Sequence, residues 1–273
     1  MRKPSKIGVA LAALVVTATV AAVAWLYEPL GMMAPTWWPW VDPGAATRPS
    51  NSPAPATRPP PRELLPDLRV LPPSELTLIG SRAEGNLRLK FTTVVWNDGD
   101  GPVEVRGAYD EATGALHVAQ YLHLENGEVV PGPTVGTFDF EHRHGHLHLN
   151  GFARYELWSL DDDGEPLALE AVNPKVGFCL MDNLPIDGDR PPEEPTYFEC
   201  EADIQGISVG YGDLYAAELF EQDLNVSHLP DGRYRLVNVA NPEGVIRERD
   251  TRNNARAVDF VLSGRTVSTE GPR

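Results

Sequence analysis

Four of the chain's seven histidines stand at every second position of one short stretch. The stretch reads FDFEHRHGHLHLNGF and contains His142, His144, His146 and His148. On a β-strand, side chains two residues apart lie on the same face, so a strand here would align all four imidazoles. Neutral imidazoles that converge on one point bind transition metals such as copper or zinc. The spacing therefore predicts a metal site that uses three of these four histidines.

The residues around the histidines favour the strand. Phe140 and Phe152 are aromatic, which is typical of strands, and Gly145 and Gly151 permit a bulge that would help several ligands converge. A solvated, histidine-rich strand face is the alternative. Four histidines within seven residues, in a chain with three others, argue against that alternative.

Short strands joined by tight turns are predicted on both sides of this stretch. Asn126-Gly127 separates two apolar runs, which is a strong signal for a β-hairpin. Asp-Gly pairs at 163–164 and 231–232 separate similar runs. The pattern predicts a mainly β fold, a β-sandwich in a single domain with little helix. One brief helix is predicted over residues 212–222.

The N-terminus has a different composition. Residues 1–28 combine a basic start with an apolar run and are predicted to be a signal peptide or membrane anchor. Residues 29–63 form a Pro-rich linker, residues 64–265 the β domain and residues 266–273 a flexible tail. Positive charges before the apolar run predict export, with the domain outside the cytoplasm. The domain would be either held at the membrane through the N-terminal segment or secreted.

Net charge and cysteine content indicate which classes of protein the chain can belong to. The net charge of −16 argues against nucleic-acid binding, since a phosphate-binding face is basic. Cys179 and Cys200 are the two cysteines, and in an exported protein they are predicted to form one disulfide. Two buried thiols are the alternative. The bridge would close a Pro- and Asp-rich loop that could cover the site.

Four segments together resemble one known family. HRHGHLHLNGFARYEL, NPKVGFCLMDN, YFECEADIQGISVGYGDLYAAEL and NPEGVIRERDTRNNA are similar, in order and spacing, to the lysyl oxidase catalytic domain. LLPDL at 64–68 resembles the opening of that domain, so the resemblance covers roughly Leu64 to Phe260.

The resemblance implies copper and a protein-derived cofactor, lysine tyrosylquinone (LTQ). It places the quinone on Lys175 and Tyr215, with Tyr211 as a rival for the tyrosine. It assigns the copper ligands to three histidines, here His144, His146 and His148, although His142 could replace one of them. Asp213, two residues before Tyr215, is the candidate catalytic base.

The implied reaction is the oxidation of primary amines, including the lysine side chains of proteins. Oxygen is the acceptor, and the products are an aldehyde, hydrogen peroxide and ammonia. The competing hypothesis is a non-catalytic copper-binding β-sandwich module of the cell surface, in which no quinone forms. A zinc hydrolase is disfavoured because the sequence contains no HExxH motif.

Overall fold

The computed structural model describes residues 59–142, 145–173, 177–187 and 190–270. The predicted signal or anchor segment, 1–28, lies outside the described residues, and so do residues 29–58 of the predicted linker. His144 and Lys175 lie outside them as well. Within the described ranges, no helix is long and apolar enough to cross a membrane.

Three antiparallel sheets make up the domain. The first contains β1 (Glu63–Leu64), β5 (Val103–Asp110), β6 (Ala115–Leu124), β7 (Val129–Glu141), β8 (His146–Leu149) and β12 (Ile204–Ile207). The second contains β9 (Ala153–Leu160), β10 (Pro166–Asn173), β15 (Gly232–Ala240), β16 (Ala255–Ser263) and β17 (Thr266–Thr269). The third contains β2 (Leu68–Val70), β3 (Ser74–Ile79), β4 (Arg88–Asn97), β11 (Leu184–Pro185), β13 (Tyr211–Tyr215) and β14 (Asp223–Asn225). A short 3₁₀ helix spans Thr251–Asn253.

Alternating side chains explain how these strands build one core. Along β15, every second residue from Tyr234 to Ala240 is buried, including Leu236 and Asn238, while the residues at the alternate positions are more exposed. The buried apolar side chains of all three sheets form one cluster, with Phe91 packed edge-on against Tyr155. The prediction of a mainly β domain is confirmed.

The strand order gives the positions of β8 and β13, the two strands that matter for the site. In the first sheet the order is β12–β5–β6–β7–β8, with β1 paired to β6, so β8 lies at one end. In the third sheet, β13 pairs with β4 on one side and with the short β11 on the other. The predicted hairpin at Asn126-Gly127 is confirmed: it joins β6 to β7, and Gly127 adopts a φ of 85°.

Two local predictions are wrong. The helix predicted over 212–222 is absent: Tyr211–Tyr215 is a strand, and turns follow it. Pairing with the long central β4 satisfies this backbone, so tertiary context overrides the helical pattern. Residues 266–269 of the predicted flexible tail form β17, which pairs with β16 across a turn in which Gly264 has a φ of 59°.

Candidate active site

The histidine row is divided by a hairpin turn. β7 ends at Glu141 and β8 begins at His146, so the prediction that all four histidines share one strand is wrong. Gly145, with a φ of 75°, donates its backbone N–H to the carbonyl of Glu141 and reverses the chain. His142 is exposed in this turn, where its ring packs edge-on against Phe140.

His146 and His148 converge on β8. Their Nε2 atoms are 2.8 Å apart, His148 is buried and His146 is half-buried. Because metal–imidazole bonds are about 2.0–2.1 Å long, both nitrogens can reach one metal ion. Among the described residues, no group of three or more His, Cys, Asp and Glu side chains forms a metal site. His144, the neighbouring ligand of the predicted set, lies outside these residues. The donor pair therefore fits a metal, and the third ligand stays a prediction.

A cavity of about 480 Å³ joins the two histidines to β13. His146 and His148 come from the first sheet, whereas Asp213 and Tyr215 come from the third. Its other described lining residues are Gly177, Cys179, Met181, Asn183, Cys200, Leu214, Ala216, Leu219, Phe220 and Glu221. The structure thus brings together two of the predicted metal ligands, the predicted base and the predicted quinone tyrosine around one mainly apolar space.

Tyr215 occupies the last position of β13, where its phenol is held from two sides. The hydroxyl donates to the backbone carbonyl of Cys179 at 3.0 Å, and the ring meets Phe178 edge-on at 4.7 Å. Burial, and then the nearby charge of Asp213, raise the pKa of the Tyr215 phenol well above its usual value. The rival Tyr211 is buried elsewhere, donates to the carbonyl of Pro192 and is not among the described cavity-lining residues.

Asp213 is buried, and Asn183 holds it in place. The Asn183 amide donates to Asp213 Oδ1 at 3.3 Å and to the carbonyl of Leu214, and its own oxygen accepts from the Leu214 N–H at 2.7 Å. Through its side chain, Asn183 therefore pairs with the backbone of Leu214 on β13, as a residue of an adjacent strand would. The sequence carried no signal for this role, because it depends on how the loop folds back onto β13.

The predicted disulfide between Cys179 and Cys200 is confirmed, with Cα atoms 5.5 Å apart. Both cysteines line the cavity. The loop between them contributes Met181 and Asn183, both close to Cys179, to the cavity wall. That the rest of the loop covers the site stays a prediction. The disulfide therefore fixes the two ends of this part of the wall.

Gln205 supports the strand that carries the histidines, and sequence reasoning missed it. Its side chain is 1% exposed and donates to the carbonyls of Leu147 at 3.0 Å and Cys200 at 3.3 Å. Its oxygen accepts from the Leu180 N–H at 3.1 Å. Leu147 lies between His146 and His148, so Gln205 ties the histidine strand to both ends of the disulfide-bridged loop.

Gly177 makes the closest approach to a histidine. A Cβ atom added there would lie 2.5 Å from Cβ and 2.6 Å from Nδ1 of His148, and the φ of 114° suits only glycine. The next residue, Phe178, exchanges two backbone hydrogen bonds with Leu149 of β8. The segment that follows Lys175 therefore packs directly against the histidine strand.

Comparison with known proteins decides the family. The lysyl oxidase family model matches residues 115–271, more than half of the chain and all of the described site residues. The chain belongs to the lysyl oxidase family. It is 30% identical over 129 residues to human protein-lysine 6-oxidase, a match that covers 47% of this chain and 29% of that protein.

Two further relatives show similar sequence identity to this chain. Bovine lysyl oxidase homolog 1 is 27% identical over 143 residues, which is 52% of this chain and 23% of the relative. Chicken lysyl oxidase homolog 2 is 30% identical over 137 residues, covering 46% and 15% respectively. The chain thus spans less than a third of the length of each of these three relatives.

Proposed function

We propose that this lysyl oxidase family member is an exported copper- and quinone-dependent amine oxidase. The observation that carries the proposal is the shared cavity: the His146–His148 pair and Tyr215 come from different sheets and line the same space. A metal-binding module would need only the histidines. A half-buried tyrosine beside them, with a neighbouring carboxylate, is what an oxidase needs in addition.

Copper would be held by His146 and His148, with His144 as the third ligand. Copper and LTQ together supply the two-electron oxidation of a primary amine, with oxygen as the final acceptor. The chain's own contribution to the metal site is rigidity: the Leu149–Phe178 pairing and the Gln205 hydrogen bonds fix the strand that carries both imidazoles.

Tyr215 and Lys175 would form the quinone. Tyr215 is fixed by its hydrogen bond to Cys179 and by Phe178, so its ring is held in one orientation at the cavity wall. Lys175 precedes Gly177 by two residues, and Gly177 lines the same cavity. For a crosslink to form, the lysine amine must lose its proton, and a site with low access to water favours the neutral amine.

The same cavity would prepare the substrate. Met181, Leu214 and Ala216 contribute apolar surface, which disfavours a charged ammonium and favours the neutral, reactive amine. Asp213 is buried in the wall next to Tyr215 and would remove the proton from the carbon that bears the amine. Asn183 orients this carboxylate by donating to it.

An oxidase assay tests this function. Protein matured aerobically with copper should release hydrogen peroxide from a primary amine such as n-butylamine. Asp213→Asn should still form the quinone but should turn over about 10²–10⁴ times more slowly, the usual contribution of general base catalysis. Asp67→Asn is the control, because Asp67 is equally buried but pairs with Arg249 away from the cavity. No peroxide from quinone-containing wild-type protein would refute the proposal.

Export and a protein substrate belong to the same proposal. A formed disulfide suits an oxidising compartment, and the basic, apolar N-terminus suits export. The domain would be held at the membrane by residues 1–28 or released from it. Its substrates would be primary amines, including protein lysine side chains, because relatives are named protein-lysine 6-oxidase.

Gln205 offers a test of the metal site that does not depend on turnover. Gln205→Leu leaves the Leu147 carbonyl without the amide donor, and we expect copper affinity to fall about tenfold or more. The control is Gln120→Leu: Gln120 is equally buried but bridges the backbone of Arg247. Both variants should lose about 1–3 kcal/mol of unfolding free energy. Competition titration with Cu²⁺ should separate them, and equal copper affinity in both would contradict the role of Gln205.

A further inference from the structure

We infer that the outer edge of β10 is a binding surface for the polypeptide substrate, which lies along this edge in an extended conformation while its lysine side chain enters the cavity. The inference rests on the proposed function and deepens it. It assigns residues outside the active-site cavity to the binding of the substrate chain.

A second cavity adjoins the active-site cavity, and this is one of the two observations that support the inference. It measures about 510 Å³, and Phe220 and Glu221 line both cavities. Its other walls include Val172 and Asn173, from the end of β10, and Asp223 of β14. The first cavity alone has room for a primary amine on a short chain. A substrate that used both cavities would extend past Phe220 towards β10.

Hydrogen bonds hold both ends of the segment that forms the shared wall, although its apolar side chains are exposed. Phe220 is 51% exposed and Leu219 is 43% exposed, yet the segment is held at both ends. At one end the Ala217 N–H donates to the Thr92 hydroxyl. At the other, buried Gln222 bonds to Thr93. Exposed apolar side chains are a better indication of a binding surface when their backbone is held in place than when they lie on a loose loop.

Glu221 adds backbone strain and negative charge to this wall. It adopts a φ of 60°, which is uncommon for a residue other than glycine. Its carbonyl accepts from the Asn173 amide, which also donates to the carbonyl of Asp223. These bonds hold the strained turn against the end of β10. A carboxylate at the junction of the two cavities suits the approach of a lysine ammonium, as does the net charge of −16.

The second observation is the edge of the second sheet. β10 pairs with β9 on one side, and among the described residues no strand pairs with its other side. Leu167, Leu169 and Val172 are 66%, 45% and 45% exposed along it. An unpaired edge that carries exposed apolar side chains can accept an added strand from another chain. Because β10 ends at the second cavity, such a strand would lead to the active site.

The test compares two substrates, n-butylamine and a blocked peptide with one central lysine and apolar flanks. The variant is Leu169→Ala/Val172→Ala on β10. The control is Phe198→Ala/Ile204→Ala, which truncates two exposed apolar residues at the edge of the first sheet, Ile204 on β12 and Phe198 in the loop before it. For the β10 variant we expect KM for the peptide to rise about tenfold with kcat unchanged, as when interface anchors are removed. We expect no change for n-butylamine with either variant.

The outcomes separate this inference from the proposed function. An unchanged peptide KM in the β10 variant, or an equal rise in the control, would overturn the inference while the oxidase function stands. If the wild-type protein oxidises neither substrate, the oxidase function fails. Anisotropy of the labelled peptide on copper-loaded protein then decides the inference: weaker binding to the β10 variant than to the control supports it, and equal binding overturns it.

Discussion

Replacing Tyr215 with phenylalanine should abolish amine oxidation and leave the fold intact. Without the phenol oxygen no quinone can form, so we expect quinone absorbance to vanish and turnover to fall by at least about a thousandfold. The substitution removes the hydrogen bond to the carbonyl of Cys179, and the loss of this bond should cost about 1 kcal/mol of unfolding free energy. Visible spectroscopy of copper-matured protein, together with denaturant unfolding, measures both effects.

Tyr211 provides the matched control. It lies on the same strand, and Tyr211→Phe likewise removes one hydrogen bond from a hydroxyl to a carbonyl, that of Pro192. We expect this variant to retain both quinone and turnover, because Tyr211 is not among the described residues that line the cavity. A quinone that survives in Tyr215→Phe and disappears in Tyr211→Phe would show that the rival tyrosine is the precursor.

Replacing Gly177 with alanine should impair copper binding without touching a ligand. The new methyl group would lie 2.5 Å from the His148 Cβ, which is closer than real side chains approach, and the φ of 114° would be strained. His148 or its strand must shift, so we expect copper affinity to fall about tenfold or more and quinone formation to stop. Competition titration with Cu²⁺, followed by quinone absorbance, measures the effect.

Gly244→Ala separates the collision from the backbone strain. Gly244 has a φ of 65°, but an added Cβ there would meet no atom within 4 Å. We expect it to lose some stability and to bind copper with wild-type affinity. Wild-type copper affinity in Gly177→Ala would contradict the view that Gly177 positions His148.

Local sequence patterns predicted those parts of the site that follow from residue type and spacing. The two-residue spacing predicted that His146 and His148 share one strand face, and β8 places them there; their role as metal ligands stays a prediction. The same pattern failed at His142, because Gly145 turns the chain and no spacing rule shows where a strand ends. The disulfide was predicted from predicted export together with the presence of two cysteines, which allow one pairing.

Contacts between segments far apart in the chain could not be predicted from sequence patterns. The roles of Gln205 and Asn183 come from bonds to backbone atoms of distant segments, and any buried amide would look the same in the sequence. Gly177 resembles an ordinary turn glycine until the fold places His148 against it. The helix predicted over 212–222 failed for a related reason, because β4 offers that segment a pairing partner far away in the chain.

The central claim is that Lys175 and Tyr215 become one cofactor beside copper. Peptide mass mapping of protein matured aerobically with copper tests it most directly, with Lys175→Ala as the control. The account predicts a crosslinked peptide that contains both residues and carries the mass change of quinone formation, present in the wild type and absent in the control. Separate, unmodified Lys175 and Tyr215 peptides from fully copper-loaded protein would contradict it and would favour a copper-binding module without oxidase activity.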